Sequence, residues 1–432
     1  MSEEALPASL NTDPYWWEAA PLPEPDEQPL PRETDVAIVG AGFTGLSAAL
    51  TLTRAGRRVQ VFDKDRPGEG ASSRNGGIAS GNIRTSFSKM VAAMGLERAK
   101  AIYGEGKRAR EDLARFLDSE RIDCDFALVG RFTGATTPAH YEQMAREAQF
   151  MHRHLGIATY AVPKAEQHAE LGTDFYHGGV VRPDIGGLHP GRFHAGLLAA
   201  ASAAGAVVHG RTAVTGVRRD GRGFEVRTAR GVIGAGDVLV CTNGYTGGVT
   251  PWLRRRIVPI PSQIIATAPL MPELMRRLMP KRRMIGESRN LYHYYRPSPD
   301  GTRIVFGGRR GAETDDPFVK YRHLRRGLVA IFPELHSVAI THSWWGYTGY
   351  TFDFLPKLAV HEGVHYACGF CGSGVVWARW LGRKAALRIL GDADAKTVFD
   401  EMPFRTRPLY NGRPWFLPAM IGWYRLKDSL GM

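Results

Sequence analysis

The sequence predicts an α/β protein with α+β character, in which a discontinuous Rossmann-like domain is joined to a second domain built on a mixed or antiparallel sheet. Three observations predict this fold class. Residues 35–64 contain a complete unit of strand, glycine turn, helix and strand. A second glycine-rich turn leads into a helix after residue 371. Residues 215–242 and 290–308 alternate β-rich runs with short glycine-containing turns, which is typical of antiparallel strands.

Length and composition exclude several classes of protein. A chain of 432 residues with 44% hydrophobic residues can bury a large core and exceeds one average domain. The first 32 residues are acidic and rich in proline, and no apolar run reaches membrane-spanning length, so we expect a cytoplasmic protein without a membrane span. The net charge of +13 comes from arginines scattered along the chain, so we expect no nucleic-acid partner.

The unit at residues 35–64 has the features of a dinucleotide-binding site. An apolar run, Val36 to Val39, precedes a G-x-G-x-x-G turn, and an amphipathic helix follows it. In such a unit the first glycine permits a tight turn, the second admits a pyrophosphate and the third lets the helix pack closely. An acidic residue after the second strand accepts hydrogen bonds from a ribose. The predicted binding residues here are Gly40, Gly42, Phe43, Thr44, Gly45, Asp63 and Lys64.

Several further motifs occur in a fixed order along the chain. They are PYWWEAA, GASSRNGG, GGLHPGRFHAGLLAAASAAGA, VLVCTNGYT, GFCGSGV and PFRTRPLYNGRPWFLP. With these motifs the sequence resembles, over nearly its whole length, the D-amino acid oxidase superfamily of FAD-dependent amine and amino-acid oxidoreductases. It is most similar to the branch of gamma-glutamylputrescine oxidase and the glycine and sarcosine oxidases. The resemblance implies a fold of the glutathione-reductase-2 type and FAD as the cofactor.

The resemblance also implies a domain division and an activity. The FAD-binding domain would comprise residues 33–95, 188–250 and 350–395, and the substrate domain residues 96–187 and 251–349. An arm at 1–32 and an extension at 396–432 complete the chain. The activity implied is hydride transfer from the C–H beside an amine nitrogen to flavin N5, which gives an imine that water hydrolyses. If oxygen is the acceptor, the reaction releases hydrogen peroxide.

The remaining cofactor-binding residues are implied by the resemblance. The loop Ser72, Ser73, Arg74, Asn75, Gly76 and Gly77 would wrap the pyrophosphate and ring edge, with Arg74 and Asn75 reaching toward the isoalloxazine. Val214 would lie against the adenine, and Thr242, Asn243 and Gly244 would close that side. Gly372, Ser373, Gly374 and Val375 would face the pyrimidine edge of the flavin.

The pair Cys368 and Cys371 permits three interpretations. With His361 and His365 it would form a zinc site, but one C-x-x-C is half a site and His365 and Cys368 lie on opposite faces of a strand. As a redox dithiol it would normally accompany a second dinucleotide fold, and no second G-x-G-x-x-G unit is present. The resemblance favours the third interpretation, in which a helix N-terminus stabilises negative charge on reduced flavin. Cys371 is then a small residue near the flavin, Cys368 belongs to the core, and no metal is expected.

Candidates to line a substrate pocket lie on the predicted hairpin 290–308 and in the segment SWWGYTGYTFDFLPKL. The predicted catalytic residues are Tyr292, Tyr294, Arg309, Trp345 and Tyr350, and Arg296 and Tyr347 are further candidates for the pocket wall. An aromatic cage would favour an amine, and Arg309 would pair with a substrate carboxylate. Plain core packing is the alternative for each aromatic residue.

Two differences from the resembled family concern the attachment of the flavin to the protein and the molecule that accepts its electrons. The cysteine and histidine that tether flavin in some relatives are missing from the aligned segments, so we expect non-covalent FAD. No lysine lies between Lys281 and Lys320, where an oxygen-activating lysine is expected, so the acceptor is oxygen or an electron carrier. The alternatives are a dehydrogenase that reduces a quinone, with the basic stretch 271–284 on a membrane surface, and a non-catalytic or tRNA-modifying flavoprotein. We expect a monomer or homodimer.

Overall fold

The computed structural model describes residues 10–25, 27–309 and 316–431. Its strands are β1 Glu33–Val39, β2 Val59–Phe62, β3 Ile78–Ala79, β4 Arg131–Gly134, β5 Tyr160–Val162, β6 Gly179–Arg182, β7 Gly186–Gly187, β8 Val207–His209, β9 Val214–Asp220, β10 Gly223–Thr228, β11 Gly231–Val240, β12 Val258–Thr267, β13 Met284–Glu287, β14 Tyr294–Pro297, β15 Ile304–Gly308, β16 Ile340–Tyr350, β17 Lys357–His361 and β18 Val364–Cys368.

Helices cover both sheets and connect their strands. They are α1 Trp16–Ala19, α2 Phe43–Arg54, α3 Ala71–Arg74, α4 Phe87–Met94, α5 Leu96–Ser119, α6 Pro138–Leu155, α7 Pro190–Ala203, α8 Pro251–Arg254, α9 Pro272–Leu278, α10 Pro317–Ile331, α11 Gly374–Ile389 and α12 Leu417–Ser429. Within the described parts of the chain, no helix combines the length and the apolar character needed to cross a bilayer.

The first sheet is built around parallel strands in the order β18-β11-β1-β2-β8, with β17 antiparallel at one edge and β9 and β10 forming a meander on β11. Strand β2 is buried along its whole length, as expected for a parallel strand covered on both faces. Helices α2 and α11 meet closely at Gly382, where a Cβ would overlap the carbonyl oxygen of Thr44. The strand, turn and helix unit predicted at residues 35–64 is therefore present.

The second sheet has the order β16-β12-β15-β14-β13-β4-β6-β5, and all its pairs are antiparallel except β4 with β13. Its core includes Phe132, Tyr295 and Phe306, all fully buried. The predicted combination of a Rossmann-like sheet with a mixed, mostly antiparallel sheet is confirmed. The division of the chain into exact domain segments stays a prediction.

The stretch 271–284 does not form an amphipathic membrane helix. It contains the seven-residue helix α9, whose apolar residues Met275 and Leu278 are buried in the core of the second sheet. Its arginines Arg276 and Arg277 form ion pairs with Glu273 and Glu334. Two apolar residues of this stretch are thus used by the fold, whereas Met271 is exposed, and contact of the stretch with a membrane surface stays a prediction.

Candidate active site

A cavity of about 940 Å³ lies between the two sheets. Val39, Phe62 and Val240, the last residues of β1, β2 and β11, form part of its wall. Ligands of open α/β sheets bind at this edge, outside the carboxyl ends of the parallel strands. Side chains from the second sheet form the opposite wall, so one cavity joins a nucleotide-type site to a set of tyrosines and arginines.

The glycine turn shapes one end of the cavity. Gly40 has a φ of +107°, and a Cβ at Gly45 would overlap the Gly40 carbonyl oxygen, so the third glycine allows α2 to start directly against the turn. Gly42 precedes α2 without a side-chain cap, and the Phe43 N–H donates to Ser72 Oγ over 2.9 Å. The start of α2 thus presents N–H groups and the positive end of the helix dipole to the cavity, which suits a pyrophosphate.

Asp63 follows β2 and lies almost buried beside this turn. Its carboxylate accepts from the N–H groups of Ala41 over 2.8 Å and Asp65 over 3.1 Å. Burial raises the pKa of Asp63 to about 6, in spite of these hydrogen bonds. An ionised carboxylate at this position is short of donors, and ribose hydroxyls from a ligand would supply them.

Three tryptophans hold the loop 70–77. Trp17 Nε1 donates to Ser73 Oγ over 2.8 Å, Trp16 Nε1 to the Asn75 carbonyl over 2.8 Å, and Trp344 Nε1 to the Arg74 carbonyl over 2.8 Å. Trp16 and Trp17 belong to the N-terminal arm and Trp344 to β16. The arm and the second sheet therefore fix the backbone of the loop that lines the cavity.

The polar groups of Arg74 and Asn75 are used inside this loop. Arg74 Nε donates to the Glu69 carbonyl over 2.5 Å, and its guanidinium lies 4.7 Å from the Trp17 ring. The Asn75 amide donates to the carbonyls of Ala71 and Ser72 and accepts from the Gly77 N–H. Both residues line the cavity, and their predicted reach toward the flavin ring stays a prediction.

The expected adenine side is formed by the start of β9 and the residues after β11. Val214, Thr242 and Asn243 line the cavity there, together with Lys64 and Tyr245. Asn243 adopts a positive φ of 43°, and its side-chain oxygen accepts from the Gly369 N–H over 2.9 Å. This bond ties the adenine side to the turn that precedes α11.

The N-terminus of α11 closes the cavity opposite α2. Gly372, Ser373, Gly374 and Val375 all line it, and Gly372 has a φ of +95°. Cys368 and Cys371 are buried free thiols, and burial raises the pKa of both, that of Cys371 to about 11. The described residues contain no group of three or more His, Cys, Asp or Glu that could hold a metal. Buried thiols with raised pKa values do not suit a redox dithiol, so the turn into α11 is the feature that matters here.

Tyr294 brings the second sheet onto the loop 70–77. Its ring lies against Gly76 and Gly307, where a Cβ would meet it at 2.9 Å or overlap it. Its hydroxyl is 3.0 Å from Ser262 Oγ. The two glycines make room for an aromatic side chain that lines the cavity directly beside the loop.

Arg309 lies at the end of β15 among three tyrosines. Nη1 donates to the hydroxyls of Tyr292 and Tyr350, each over 2.8 Å. Its guanidinium carbon lies 5.5 to 5.8 Å from the ring centres of Tyr292, Tyr294 and Tyr350. Three of the predicted aromatic residues thus surround a cation of the protein itself, and an aromatic cage for a substrate amine stays a prediction.

Positive charge dominates this end of the cavity. Arg84, Arg131 and Arg309 all line it. Burial raises the pKa of Tyr292, but the three arginines outweigh burial and hold it at about 8. The cavity is thus poised to attract an anionic group.

Six predicted site residues do not lie on the cavity wall. Gly45, Gly77 and Gly244 serve close backbone packing, and a Cβ at Gly77 would overlap the Leu188 carbonyl oxygen. Ser73 is fully buried and bonds the Gly68 carbonyl. Trp345 packs edge-on against Tyr347, its same-face neighbour on β16. Tyr350 is buried, accepts a hydrogen bond from Arg309 and packs edge-on against Phe354, which lines the cavity.

Arg296, a candidate for the pocket wall, does not line the cavity either. It is buried away from the cavity, and Nη1 donates to the carbonyls of Gly77 and Leu188 over 3.1 and 2.7 Å. Residues that the sequence did not single out take its place on the wall, among them Arg131 from β4, Ser262 from β12 and Tyr424 from α12. Nothing local in the sequence marks these three, because distant pairing and packing bring them to the cavity.

The chain matches the sequence model of the family described as DAO, FAD dependent oxidoreductase, over residues 35–388. The chain belongs to this family. It is therefore an FAD-dependent oxidoreductase, and the glycine turn, Asp63 and the two helix N-termini fit FAD as residues that would hold it.

Two curated relatives and one solved structure resemble the chain over most of its length. It is 31% identical over 430 residues to the probable oxidoreductase OrdL of Rhizobium meliloti, covering 96% of this chain and 97% of the relative. It is 30% identical over 407 residues to gamma-glutamylputrescine oxidoreductase of Escherichia coli, covering 92% and 93%. The crystal structure of glycine oxidase from Geobacillus kaustophilus superposes with a TM-score of 0.71 at 22% identity, covering 88% of this chain and 99% of that one. The last similarity supports the fold.

Proposed function

We propose that this enzyme oxidises the C–N bond of an amine or amino acid that carries a carboxylate. The observation that carries the proposal is the state of Arg309. Its guanidinium faces the cavity, two tyrosine hydroxyls fix it, and no carboxylate among the described residues pairs with it. A carboxylate on the substrate would complete this site with charge-assisted hydrogen bonds.

The position of Arg309 supports a substrate bound next to the cofactor. A Cβ at Gly372 would lie 2.7 Å from Arg309 Nη2, so the guanidinium sits directly on the turn into α11. FAD, when bound, supplies the two-electron acceptor for the hydride. A carboxylate on Arg309 would orient the substrate so that the C–H beside its nitrogen faces this acceptor.

The arginines also favour the reactive form of the substrate. Hydride loss from the carbon is assisted by the nitrogen lone pair, which a protonated amine lacks. Arg84, Arg131 and Arg309 disfavour a further positive charge in the cavity, and so they lower the pKa of a bound ammonium group. The amine would release its proton to solvent on binding and react in its neutral form.

The proposed reaction removes two electrons from the substrate. The C–H bond breaks with both electrons, the nitrogen lone pair forms the C=N bond, and water adds to the imine to give a carbonyl compound and an amine or ammonia. The two electrons pass on to oxygen, giving hydrogen peroxide, or to a carrier such as a quinone. Peroxide release under air separates the oxidase from the dehydrogenase.

Support for glutamylated amines as substrates comes from the relative in Escherichia coli, whose name states that it acts on gamma-glutamylputrescine. Such a compound carries both an oxidisable amine and a carboxylate, in agreement with the arginine-lined cavity. N-methyl amino acids and glycine are the other members of the proposed class.

The test is anaerobic mixing of the FAD-loaded enzyme with a panel of amines, followed by flavin absorbance. The panel pairs each carboxylated amine with its ester or amide, which removes the negative charge and keeps the amine. We expect bleaching by at least one carboxylated amine and weaker bleaching by its neutral partner. Equal bleaching by both would contradict the role of Arg309, and no bleaching by any amine would contradict the proposed function.

A further inference from the structure

We propose that Arg131 forms a second anion-binding subsite in the cavity, so that the enzyme prefers substrates with two anionic groups, one for Arg309 and one for Arg131, over substrates with one. This inference deepens the proposed function and rests on it for the reaction. It concerns the substrate class, namely amines that are dicarboxylates or carry an equivalent pair of negative charges.

The side chain of Arg131 is built into the cavity wall. Arg131 is the first residue of β4 and lies between β13 and β6 in the second sheet. Its guanidinium occupies the space over Gly286 of β13, where a Cβ would overlap it. Because Gly286 has no side chain, the Arg131 guanidinium lies directly against its backbone, and Arg131 lines the cavity.

Arg131 has no partner that compensates its charge. Its Nε is buried without a hydrogen bond, and among the described residues the side chain forms no hydrogen bond or ion pair. Burial lowers the pKa of Arg131, against an opposite influence of Tyr292, and the charges of Arg182 and Arg309 lower it further. A buried, unpaired guanidinium is costly to a fold, and a bound anion would remove that cost.

The acidic residues near this part of the wall already have partners. Glu287 accepts from Arg289 Nε and Nη2, each over 2.7 Å, and from the His293 N–H over 2.8 Å. Asp184 accepts from Arg182 and Arg110. Since both carboxylates are occupied by other cations, the missing anion for Arg131 is expected to come from a ligand.

Arg131 and Arg309 enter the cavity from different places. The sheet order β15-β14-β13-β4 puts two strands between β4 and β15, the strand that ends just before Arg309. Three strand spacings of about 4.8 Å separate the two backbones by roughly 14 Å, while the charge of Arg309 still acts on the Arg131 side chain across the cavity. A ligand with two anionic groups would give each guanidinium a partner of its own.

The test compares diacid and monoacid amines on the FAD-loaded enzyme. A matched set is iminodiacetate, its monoamide and N-ethylglycine, extended by longer amino diacids. We expect kcat/KM for the preferred diacid to exceed that of its monoamide by roughly 10- to 100-fold, the effect of one charge-assisted pair. Arg131→Gln should remove this preference, because it should lower kcat/KM for the diacids far more than for the monoacids.

Two further variants separate the subsite from a general effect of charge or folding. Lys89, exposed at the cavity, gives the control Lys89→Gln, which should change diacids and monoacids by the same small factor. Arg131→Lys keeps the charge and should restore part of the diacid preference, which a purely structural role of the guanidinium would not. Equal losses for diacids and monoacids in Arg131→Gln would overturn the proposal.

Binding without turnover distinguishes failure of the subsite from failure of the proposed function. Glutarate and its monoamide contain no amine, and their binding is followed by perturbation of the flavin absorbance spectrum. Tighter binding of glutarate that is lost in Arg131→Gln would support the subsite even if no amine reduced the flavin. If amines reduce the flavin but Arg131→Gln alters neither diacid turnover nor glutarate binding, the subsite is wrong and the proposed function stands.

Discussion

Arg309 Nη1 donates a hydrogen bond over 2.8 Å to the hydroxyl of Tyr292, and the same nitrogen donates to Tyr350 over 2.8 Å. Tyr292 lines the cavity, whereas Tyr350 is buried behind the guanidinium. The two tyrosines therefore fix the orientation of one charged group from two sides. Tyr350 acts through Arg309 and is a positioning residue.

Arg309→Lys should weaken the reaction with carboxylated amines. A lysine keeps the charge but loses the planar fork that two tyrosines hold, so we expect kcat/KM to fall by roughly 30-fold, about 2 kcal/mol. Tyr350→Phe should give a smaller loss, mostly in KM, because the guanidinium stays but is held less firmly. Steady-state kinetics check both, and an unchanged KM for carboxylated amines in Arg309→Lys would contradict the role of this arginine.

Substrate binding should weaken as the pH rises through about 8, the pKa of Tyr292. Above this pH the phenolate neutralises part of the charge of Arg309, Arg84 and Arg131, and an anionic substrate loses attraction. Tyr292→Phe should abolish this step in the pH profile of Kd. Because the folded pKa lies below the ordinary value of 10, ionisation of Tyr292 should also add stability between pH 8 and 10, which thermal melts of both proteins would detect.

Trp17→Phe should loosen FAD without disturbing the fold. The ring remains beside Arg74, but the bond from Trp17 Nε1 to Ser73 Oγ is lost, which at about 1 kcal/mol corresponds to roughly 5-fold weaker FAD binding. The measurement is quenching of flavin fluorescence on titration of the apoprotein. Trp415, whose side chain is 62% exposed, provides the control Trp415→Phe, and equal FAD affinities in both variants would show that the arm does not hold the loop.

Substitutions in the turn before α11 should separate packing from cofactor binding. Gly372→Val introduces a Cβ next to Arg309 at a φ of +95° and should abolish FAD binding, measured as flavin content after purification. Gly391 has a φ of +73° with open space around it, so Gly391→Val carries similar strain and should retain FAD. Cys371→Ser should keep both flavin and turnover, and loss of either would reinstate a chemical role for this thiol.

The cofactor should be released when the protein is denatured. The segments that align with the flavin-tethering cysteine and histidine of some relatives lack those residues, so we expect FAD to be held by hydrogen bonds and packing alone. Acid precipitation should leave a colourless pellet and FAD in the supernatant. A yellow pellet would contradict this prediction and require a covalent bond to a side chain.

Local patterns explain why the nucleotide end could be predicted from the sequence. The turn at Gly40, Gly42 and Gly45 and the acid Asp63 lie within one short unit, so their spacing fixes their relative positions in space. The turn before α11 could also be predicted, because it resembles a known motif. The helix predicted after residue 371 is observed at Gly374–Ile389.

The substrate end could not be predicted to the same degree, because its residues come from strands that pair over long distances in the sequence. Arg131 reaches the cavity through the parallel pairing of β4 with β13, and Tyr424 through the docking of α12. Trp345 and Arg296 have the right residue types, but Trp345 packs edge-on against the ring of Tyr347, and neighbouring carbonyls hold Arg296. One sequence does not reveal which aromatic residue faces a cavity and which one packs in a core.

The most direct test of the proposed chemistry is a single anaerobic turnover with the carboxylated amine that bleaches the flavin fastest. The proposed reaction predicts one equivalent of carbonyl product per flavin reduced, and slower bleaching when the hydrogen beside the nitrogen is replaced by deuterium. Bleaching without a carbonyl product, or no bleaching by any carboxylated amine, would contradict C–N oxidation by this enzyme.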